Sequence, residues 1–344
     1  MIRRLVVAAP EGWHSPSAYY RFDPLAGSGL WRVDAVATGA FPGDEQIAGL
    51  LELGGMDAVL VLQRVMPGRG DTDRLRRSYS RLVFDIDDAI YAVPPDESSG
   101  ATKVVKRAAR LFVRGSPNAS SRKRPLEQTL AKVDACVVGN SILAEFAGRH
   151  APRVVEIPTT VEPVQQPPTT RPDPPVVVWH GLRDNLPHLA LSREVLRVLA
   201  QELDFRLRII ASATWEDAPM PVEFIPWSRE SARVGLLTAS VGLAPLTDDT
   251  WTRGKCAFRS IQYGGHGLPS VASPVGITDR VVLHGKTGYL ARSSKEWEDA
   301  LRALLTNPDL AAQMGDAALR HIGEHYSNDL AVKRWRALIE SFDA

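Results

Sequence analysis

Short, nearly unbroken apolar runs alternate along this chain with longer stretches whose apolar positions return every third or fourth residue. Runs of the first kind suit strands buried on both faces; stretches of the second kind suit amphipathic helices. Their alternation predicts parallel sheets with crossover helices, an α/β fold. In the first half, strands are expected at residues 3–9, 31–37, 58–63, 81–84, 135–138 and 154–157. Helices are expected at 18–27, 44–53, 101–113, 125–132 and 141–149, the last opening on Ser141 with Glu145 downstream. In the second half, strands are expected at 176–179, 206–210, 222–224, 241–244, 270–272 and 288–291. Helices there are expected at 186–202, 229–238, 253–264, 294–305, 310–325 and 328–342.

Between the halves the pattern stops. Residues 158–175 read PTTVEPVQQPPTTRPDPP, and proline removes donors and favours extended chain. The organisation expected is therefore a domain over 1–160, a linker over 161–175 and a second domain over 176–327, followed by the amphipathic helix 328–342. A length of 344 residues allows each domain its own core. The formal net charge of +1 excludes a global attraction to nucleic acid. Two cysteines, Cys136 and Cys256, make neither a disulfide framework nor a metal cluster. The opening MIRRLVVAAPEG has a short apolar run ended by Glu11, which fits a buried strand better than a leader. No run is long enough to span a bilayer, and a cytoplasmic protein is expected.

Chemistry concentrates at residues 253–276, RGKCAFRSIQYGGHGLPSVASPVG. On one continuous helix, Lys255 and Arg259 would stand a turn apart and share a face. Near the helix start, free N–H groups and the dipole also favour an anion. This outlines a diphosphate clamp, although the spacing alone is better explained by two solvated cations on a surface helix.

The order of residues across the block is more specific. Gly254–Lys255, Arg259, Gln262–Tyr263, the run GLPSVAS at 267–273 and Gly276 match a pattern, GK…K…EY…G.PVVAS..G. The segment resembles the donor site of GT-B glycosyltransferases of the GT4 type, in the branch where this pattern replaces E.FG…E. The likeness continues through 281–291, Glu296–Trp297 and LRALLTNPDLAAQMG, and is loose in the first half. The resemblance implies two Rossmann-like doubly wound domains facing across a cleft, with the last helix returning to the first domain. It implies a retaining, metal-independent transfer from a nucleotide-diphosphate sugar, with no other cofactor. The acceptor would be a small molecule, glycan or glycolipid. Lys255 and Arg259 would be catalytic, neutralising charge on the leaving diphosphate. Donor-binding candidates are Gly181, Arg183, Trp227, Arg253, Gln262 and Gly276. Gln262 departs from the Glu usual there: it keeps an acceptor oxygen for ribose hydroxyls but loses the charge.

In doubly wound sheets, ligands bind beyond the carboxyl ends of strands. That rule marks His14, Tyr20 and Arg21 after the first strand, and Asp87 and Asp88 after the fourth, as acceptor-side candidates. Asp85–Ile86–Asp87–Asp88 leaves two alternatives open: a metal site of a metal-dependent transferase or phosphatase built on Asp85 and Asp87, or a helix N-cap with an acidic first turn. A homologue that binds nucleotide sugar or a partner without turnover, transfer to a non-sugar acceptor, and an epimerase are further alternatives. Basic residues across 103–124, from Lys103 to Arg124, suit either a solvated loop or peripheral membrane contact.

Overall fold

The computed structural model describes residues 4–92, 119–167 and 171–342, with the side chains of 119–121 left aside. Twelve strands are described: β1 (Arg4–Ala9), β2 (Arg32–Ala37), β3 (Gly55–Gln63), β4 (Tyr79–Ile86), β5 (Ala135–Val138), β6 (Val154–Glu156), β7 (Val176–Gly181), β8 (Arg206–Ala211), β9 (Val222–Pro226), β10 (Val241–Ala244), β11 (Ser270–Ala272) and β12 (Gly288–Leu290). The helices are α1 (Pro16–Gly27), α2 (Asp44–Glu52), α3 (Arg69–Ser78), α4 (Ala119–Leu130), α5 (Ser141–Ala147), α6 (Arg193–Glu202), α7 (Arg229–Leu237), α8 (Thr250–Arg253), α9 (Phe258–Gly265), α10 (Thr278–Val281), α11 (Ser294–Thr306), α12 (Pro308–His325) and α13 (Asn328–Glu340).

The strands form two six-stranded parallel sheets, ordered β2-β1-β3-β4-β5-β6 and β12-β11-β10-β7-β8-β9. In each, successive crossovers run first to one side and then to the other, the doubly wound arrangement. The direction reverses between β1 and β3 in the first sheet and between β7 and β10 in the second. Those two reversals are where ligands are expected.

The chain divides into two compact units that are not contiguous in sequence. The first holds Met1–Thr159, Asp249–Lys255 and Ala331–Ala344; the second holds Thr160–Asp248 and Cys256–Leu330. Apolar burial explains the return of α13 to the first unit. Ala331, Trp335, Leu338 and Ile339 recur at helical spacing and lie in one core with Leu5, Val7, Val59, Val61, Val83, Phe22 and Leu25. The Trp335 and Phe22 rings are 5.7 Å apart. In the second unit, β7, β8 and β10 bury Val177, Trp179, Leu207, Ile209 and Leu243 against Leu196 and Leu199 of α6 and Trp297, Leu301 and Leu304 of α11.

Two expected elements differ, and α3 was not foreseen. The helix foreseen over 186–202 begins as a 3-10 stretch, Arg183–Ser192, and becomes α-helical only at α6. Pro187 lies inside that stretch and cannot donate to an α-helical ladder. Helix α3 was not expected, because RGDTDRLRRS is almost wholly polar and buries only Thr72 and Leu75. The helix foreseen over 253–264 is two helices, α8 and α9. The helix expected over 101–113 lies outside the described residues.

Candidate functional site

In the second unit, the ends of β7 and β10 converge on Arg259. Strand β7 is buried through His180 and ends on Gly181. A side chain at Gly181 would come within 2.9 Å of the Trp179 ring and 3.1 Å of Arg259 Nη2, so only glycine fits without displacement. Arg259 donates from Nε to the His180 carbonyl at 2.8 Å. Its guanidinium lies over the Trp179 ring, 4.7 Å from the centroid. Among the described residues no carboxylate pairs with it. Burial lowers its pKa from the ordinary arginine value, yet an arginine stays charged at neutral pH. The result is a fixed cation held by its Nε and its face, with its terminal nitrogens uncommitted to any carboxylate. A planar fork of this kind suits bidentate recognition of phosphate oxygens.

Two neighbours stiffen the arrangement. Tyr263, fully buried on α9, shares its O–H between the carbonyls of Val178 and Leu243 at 3.2 and 3.0 Å, tying β7 to β10 at the reversal. Gly242 makes room for it; a Cβ there would sit 2.3 Å from the Tyr263 ring. His180 is buried edge-on to Tyr263, with ring centroids 5.3 Å apart. Burial, then Arg259 and His266, holds its pKa well below the ordinary histidine value, so the ring is neutral.

The helix break corrects the expectation that Lys255 and Arg259 share a helix face. Asp249 caps α8, its Oδ1 accepting from Trp251 N and Thr252 N at 2.9 Å each. Helix α8 stops at Gly254, and Ala257, with φ of 49°, turns the chain before α9 begins at Phe258. Lys255 instead belongs with the first unit. Its Nζ stands 3.6 Å from Asp88 Oδ2 and 3.7 Å from the Trp251 ring centroid. The Gly254 carbonyl accepts from Asn140 Nδ2 at 3.0 Å, while Asn140 Oδ1 caps α5.

The first unit brings Arg21, Asp87 and Asp88 to one rim of its sheet. Arg21 is buried and donates to both oxygens of Asp85, at 2.7 and 2.5 Å, and to Thr159 Oγ1 and the Ile157 carbonyl at 3.1 Å each. The pairing leaves Asp85 completely buried with both oxygens taken by Arg21, whereas Asp87 pairs with Arg64. It also gives Arg21 a structural place rather than an exposed acceptor-side one. Burial would raise the pKa of Asp87, but Arg64 and Arg21 outweigh it and keep the group a carboxylate. For Asp88, burial dominates over Lys255 and the pKa is raised.

The remaining candidates are dispersed. His14 is exposed at the end of a 3-10 turn, and Tyr20 is half-buried, edge-on to Tyr19. Arg183 and Arg253 are exposed. The main-chain N–H of Arg183 is held by Ser212 Oγ. Trp227 is half-buried just beyond β9, its N–H bonded to the Ala211 carbonyl. Gln262 is buried on α9, and Gly276 adopts φ of 61°. Of the basic stretch, Lys103 to Arg114 lie outside the described residues; Lys123 and Arg124 are exposed on α4. Sequence reasoning missed Gln63, Arg64 and Asn140. All three stand at or just after strand ends, the signal that would have found them.

Comparison with known proteins agrees with this fold. Residues 187–337 match the family model described as glycosyl transferase-like. D-inositol 3-phosphate glycosyltransferase of Pseudarthrobacter chlorophenolicus is 27% identical over 140 residues, 40% of this chain and 32% of that protein. Its namesake from an Arthrobacter species is 29% identical over 149 residues, 41% of this chain and again 32% of that protein. The matched segment thus spans about a third of these curated relatives. A glycosyltransferase from Rickettsia africae superposes with a TM-score of 0.68 at 9% identity, covering 99% of this chain and 98% of that one. HepE of Anabaena, solved in complex with UDP, superposes at 0.66 and 12% identity, covering 99% and 100%. The sucrose-phosphate synthase of Thermosynechococcus elongatus does so at 0.63 and 13%, covering 99% of each chain. The chain has the GT-B fold of two Rossmann-like units. The resemblance drawn from residues 253–276 holds at the level of fold and of the family model. No helix among the described residues is long and apolar enough to cross a membrane.

Proposed function

We propose that the chain is a GT4-type glycosyltransferase, moving a sugar from a nucleotide-diphosphate sugar bound on the second unit to an acceptor. The observation that carries this reading is Arg259, a buried-face cation fixed at the β7 end beside Gly181 with no carboxylate among the described residues to neutralise it. A diphosphate supplies the missing negative charge, and the same guanidinium would stabilise the charge that grows on it as the glycosidic bond to phosphate breaks. Lys255 is the second cation the resemblance assigns to this task. Retention and independence of metal follow from the resemblance. HepE was solved in complex with UDP, so UDP is the first nucleotide to test. A glycolipid acceptor would give the basic 103–124 stretch a role at a membrane surface.

The test is thermal stabilisation of wild type and Arg259→Ala by UDP, GDP, dTDP and ADP, with and without EDTA. At a hundredfold excess over its dissociation constant, a bound nucleotide adds about 2.7 kcal/mol. One nucleotide should stabilise the wild type equally with EDTA present. Arg259→Ala should weaken it by roughly 10- to 100-fold, the range for hydrogen bonds to a charged group. Silence from all four nucleotides would sink the reading. Binding without turnover of the matching nucleotide sugar would favour a non-catalytic homologue, which Gln262 in place of Glu also motivates.

A further inference from the structure

The face of β7 turned toward α9 carries a buried histidine whose charged neighbours are cations. Side chains alternate along a strand, so Trp179 enters the core with α6 and α11 while His180 meets Tyr263 of α9. His180 is 5% exposed, and its Nε2 is buried without a hydrogen-bond partner. Such an atom costs stability unless something in the working protein uses it. The His180 carbonyl holds Arg259 Nε at 2.8 Å, so imidazole and guanidinium are fixed to one residue at one strand end.

Each element packed on that face contributes groups. Helix α9 brings Arg259 and Tyr263, whose O–H is spent on two carbonyls. Just after α9, half-buried His266 donates from Nδ1 to the Gln262 carbonyl at 2.8 Å. On β8, Ile210 lies beside His180 in register. Arg208, on the same face, donates to the Gly235 carbonyl of α7 at 2.9 Å. Helix α7 also carries Arg233. The carboxylates near these groups are spent: Glu223 stands 3.1 Å from Arg208, and Glu230 stands 2.7 Å from Arg233. Strand β10 is Val-Gly-Leu-Ala and adds no charge. Among the described residues, then, no free carboxylate faces His180. Burial first, then Arg259 and His266, oppose a proton on the ring.

An anion on the Arg259 fork reverses this balance. It cancels the repulsion from Arg259 and adds attraction of its own. In a buried place, Coulomb coupling acts across several ångströms without contact. Whichever tautomer is present, a neutral imidazole keeps one nitrogen with a lone pair, so the ring can take a proton from solvent. Lys255, the second cation that the resemblance offers, stands against Asp88 in the first unit. That leaves a place for a second positive charge on the second unit itself.

We propose that His180 is the proton-accepting residue of the donor site, neutral in the free protein and imidazolium when a nucleotide-diphosphate sugar occupies the Arg259 fork. This rests on the glycosyltransferase reading and adds a positioning residue and a proton to it. The proton comes from solvent on binding and returns to it on release. The empty site is thereby spared two adjacent buried cations, and the filled site gains the second one.

The experiment is calorimetry on the full-length protein with UDP-glucose, ADP-glucose, GDP-mannose and dTDP-glucose. Both phosphates of each are esterified, so the ligand lacks the ionisation at about pH 6 that a terminal phosphate would add. The sugar nucleotide that binds at pH 7.5 is then measured at pH 5.5 in two buffers of different ionisation enthalpy, which counts protons. Wild type should take up part of one proton at pH 5.5, and its affinity should rise by about threefold or more between pH 7.5 and 5.5. His180→Gln should bind with no uptake and no such rise. A reading from wild type alone comes from nitrogen NMR of the eight histidines: one ring that stays neutral at pH 5.5 without ligand should titrate with ligand bound. No uptake by wild type, equal uptake by His180→Gln, or a ring that stays neutral in the complex each overturns the proposal. In all three cases binding that depends on Arg259 persists, so the donor reading stands. If none of the four sugar nucleotides binds at either pH, the donor reading falls and this proposal falls with it.

Discussion

At the scale of single residues, the second unit is organised around a neutral histidine beside a cation. His180 supplies its carbonyl to Arg259 and its ring edge to Tyr263, and burial denies the ring a proton. The sign of the resulting pH dependence follows. In the unfolded chain His180 titrates near its ordinary 6.5, whereas folded it titrates well below that. Below pH 6.5 the unfolded state binds a proton that the folded state refuses, so stability falls as pH falls. Above 6.5 the two states bind equally and the dependence vanishes. The slope is at most about 1.4 kcal/mol per pH unit for one group. His180→Gln keeps the main-chain acceptor and removes the titration. Urea unfolding at pH 7.5 and 5.5 should show wild type losing about 1 kcal/mol more than the variant over that interval. Parallel losses would mean that the ring takes its proton inside the fold. Arg21 shows the opposite solution for a buried charge: Asp85 neutralises it, and Thr159 and the Ile157 carbonyl occupy donors that remain.

At the scale of elements, the short helix α8 is placed by what surrounds Gly254. A Cβ on Gly254 would lie 2.4 Å from Ala89 Cβ and 3.3 Å from the Ala89 backbone. Gly254→Ala should therefore force the 249–255 segment and the loop after β4 apart, costing about 1–3 kcal/mol. It should also loosen the Asn140 bond to the Gly254 carbonyl and the approach of Lys255 to Asp88. Ala89→Gly in the same chain should recover part of the loss, and thermal unfolding of wild type and the two variants measures it. A neutral Gly254→Ala would mean that the two stretches do not pack as described. The same break marks where the sequence stopped being informative. Strand and helix positions were legible because a fully buried strand and an amphipathic helix leave different periods. Residues 253–264 keep a helical period through the break, with Phe258 and Ile261 still in phase, so nothing local announces that Ala257 turns left-handed. The candidates at Arg259 and Gly181 were legible from the order of motif residues and the strand-end rule. The burial of Arg21 was not. It depends on Asp85 and Thr159, distant in sequence, and an Arg in the second turn of an amphipathic helix otherwise looks solvated. Arg64 was missed because no residue preference signals a positive φ at arginine.

At the scale of the whole molecule, the two units exchange chain. The first is completed by Asp249–Lys255 and by Ala331–Ala344, so neither unit is a continuous stretch of sequence. A protein ended after Leu330 would lose Ala331, Trp335, Leu338 and Ile339 from the core of the first unit, leaving Phe22 without its aromatic neighbour. Removing one large buried side chain costs about 3–5 kcal/mol, and a domain's entire stability is about 5–15 kcal/mol. Losing Trp335 together with Leu338 and Ile339 is therefore enough to unfold the first unit. The second keeps its own core of Trp179, Leu196, Trp297 and Leu301. For residues 1–330, calorimetry should show the first unit's transition lost and the second unit's retained. Limited proteolysis should cut first within 1–159, and nucleotide stabilisation dependent on Arg259 should persist if the donor reading is right. A truncated protein that resists cleavage within 1–159 as well as the full chain does would show that α13 merely covers this core and does not complete it.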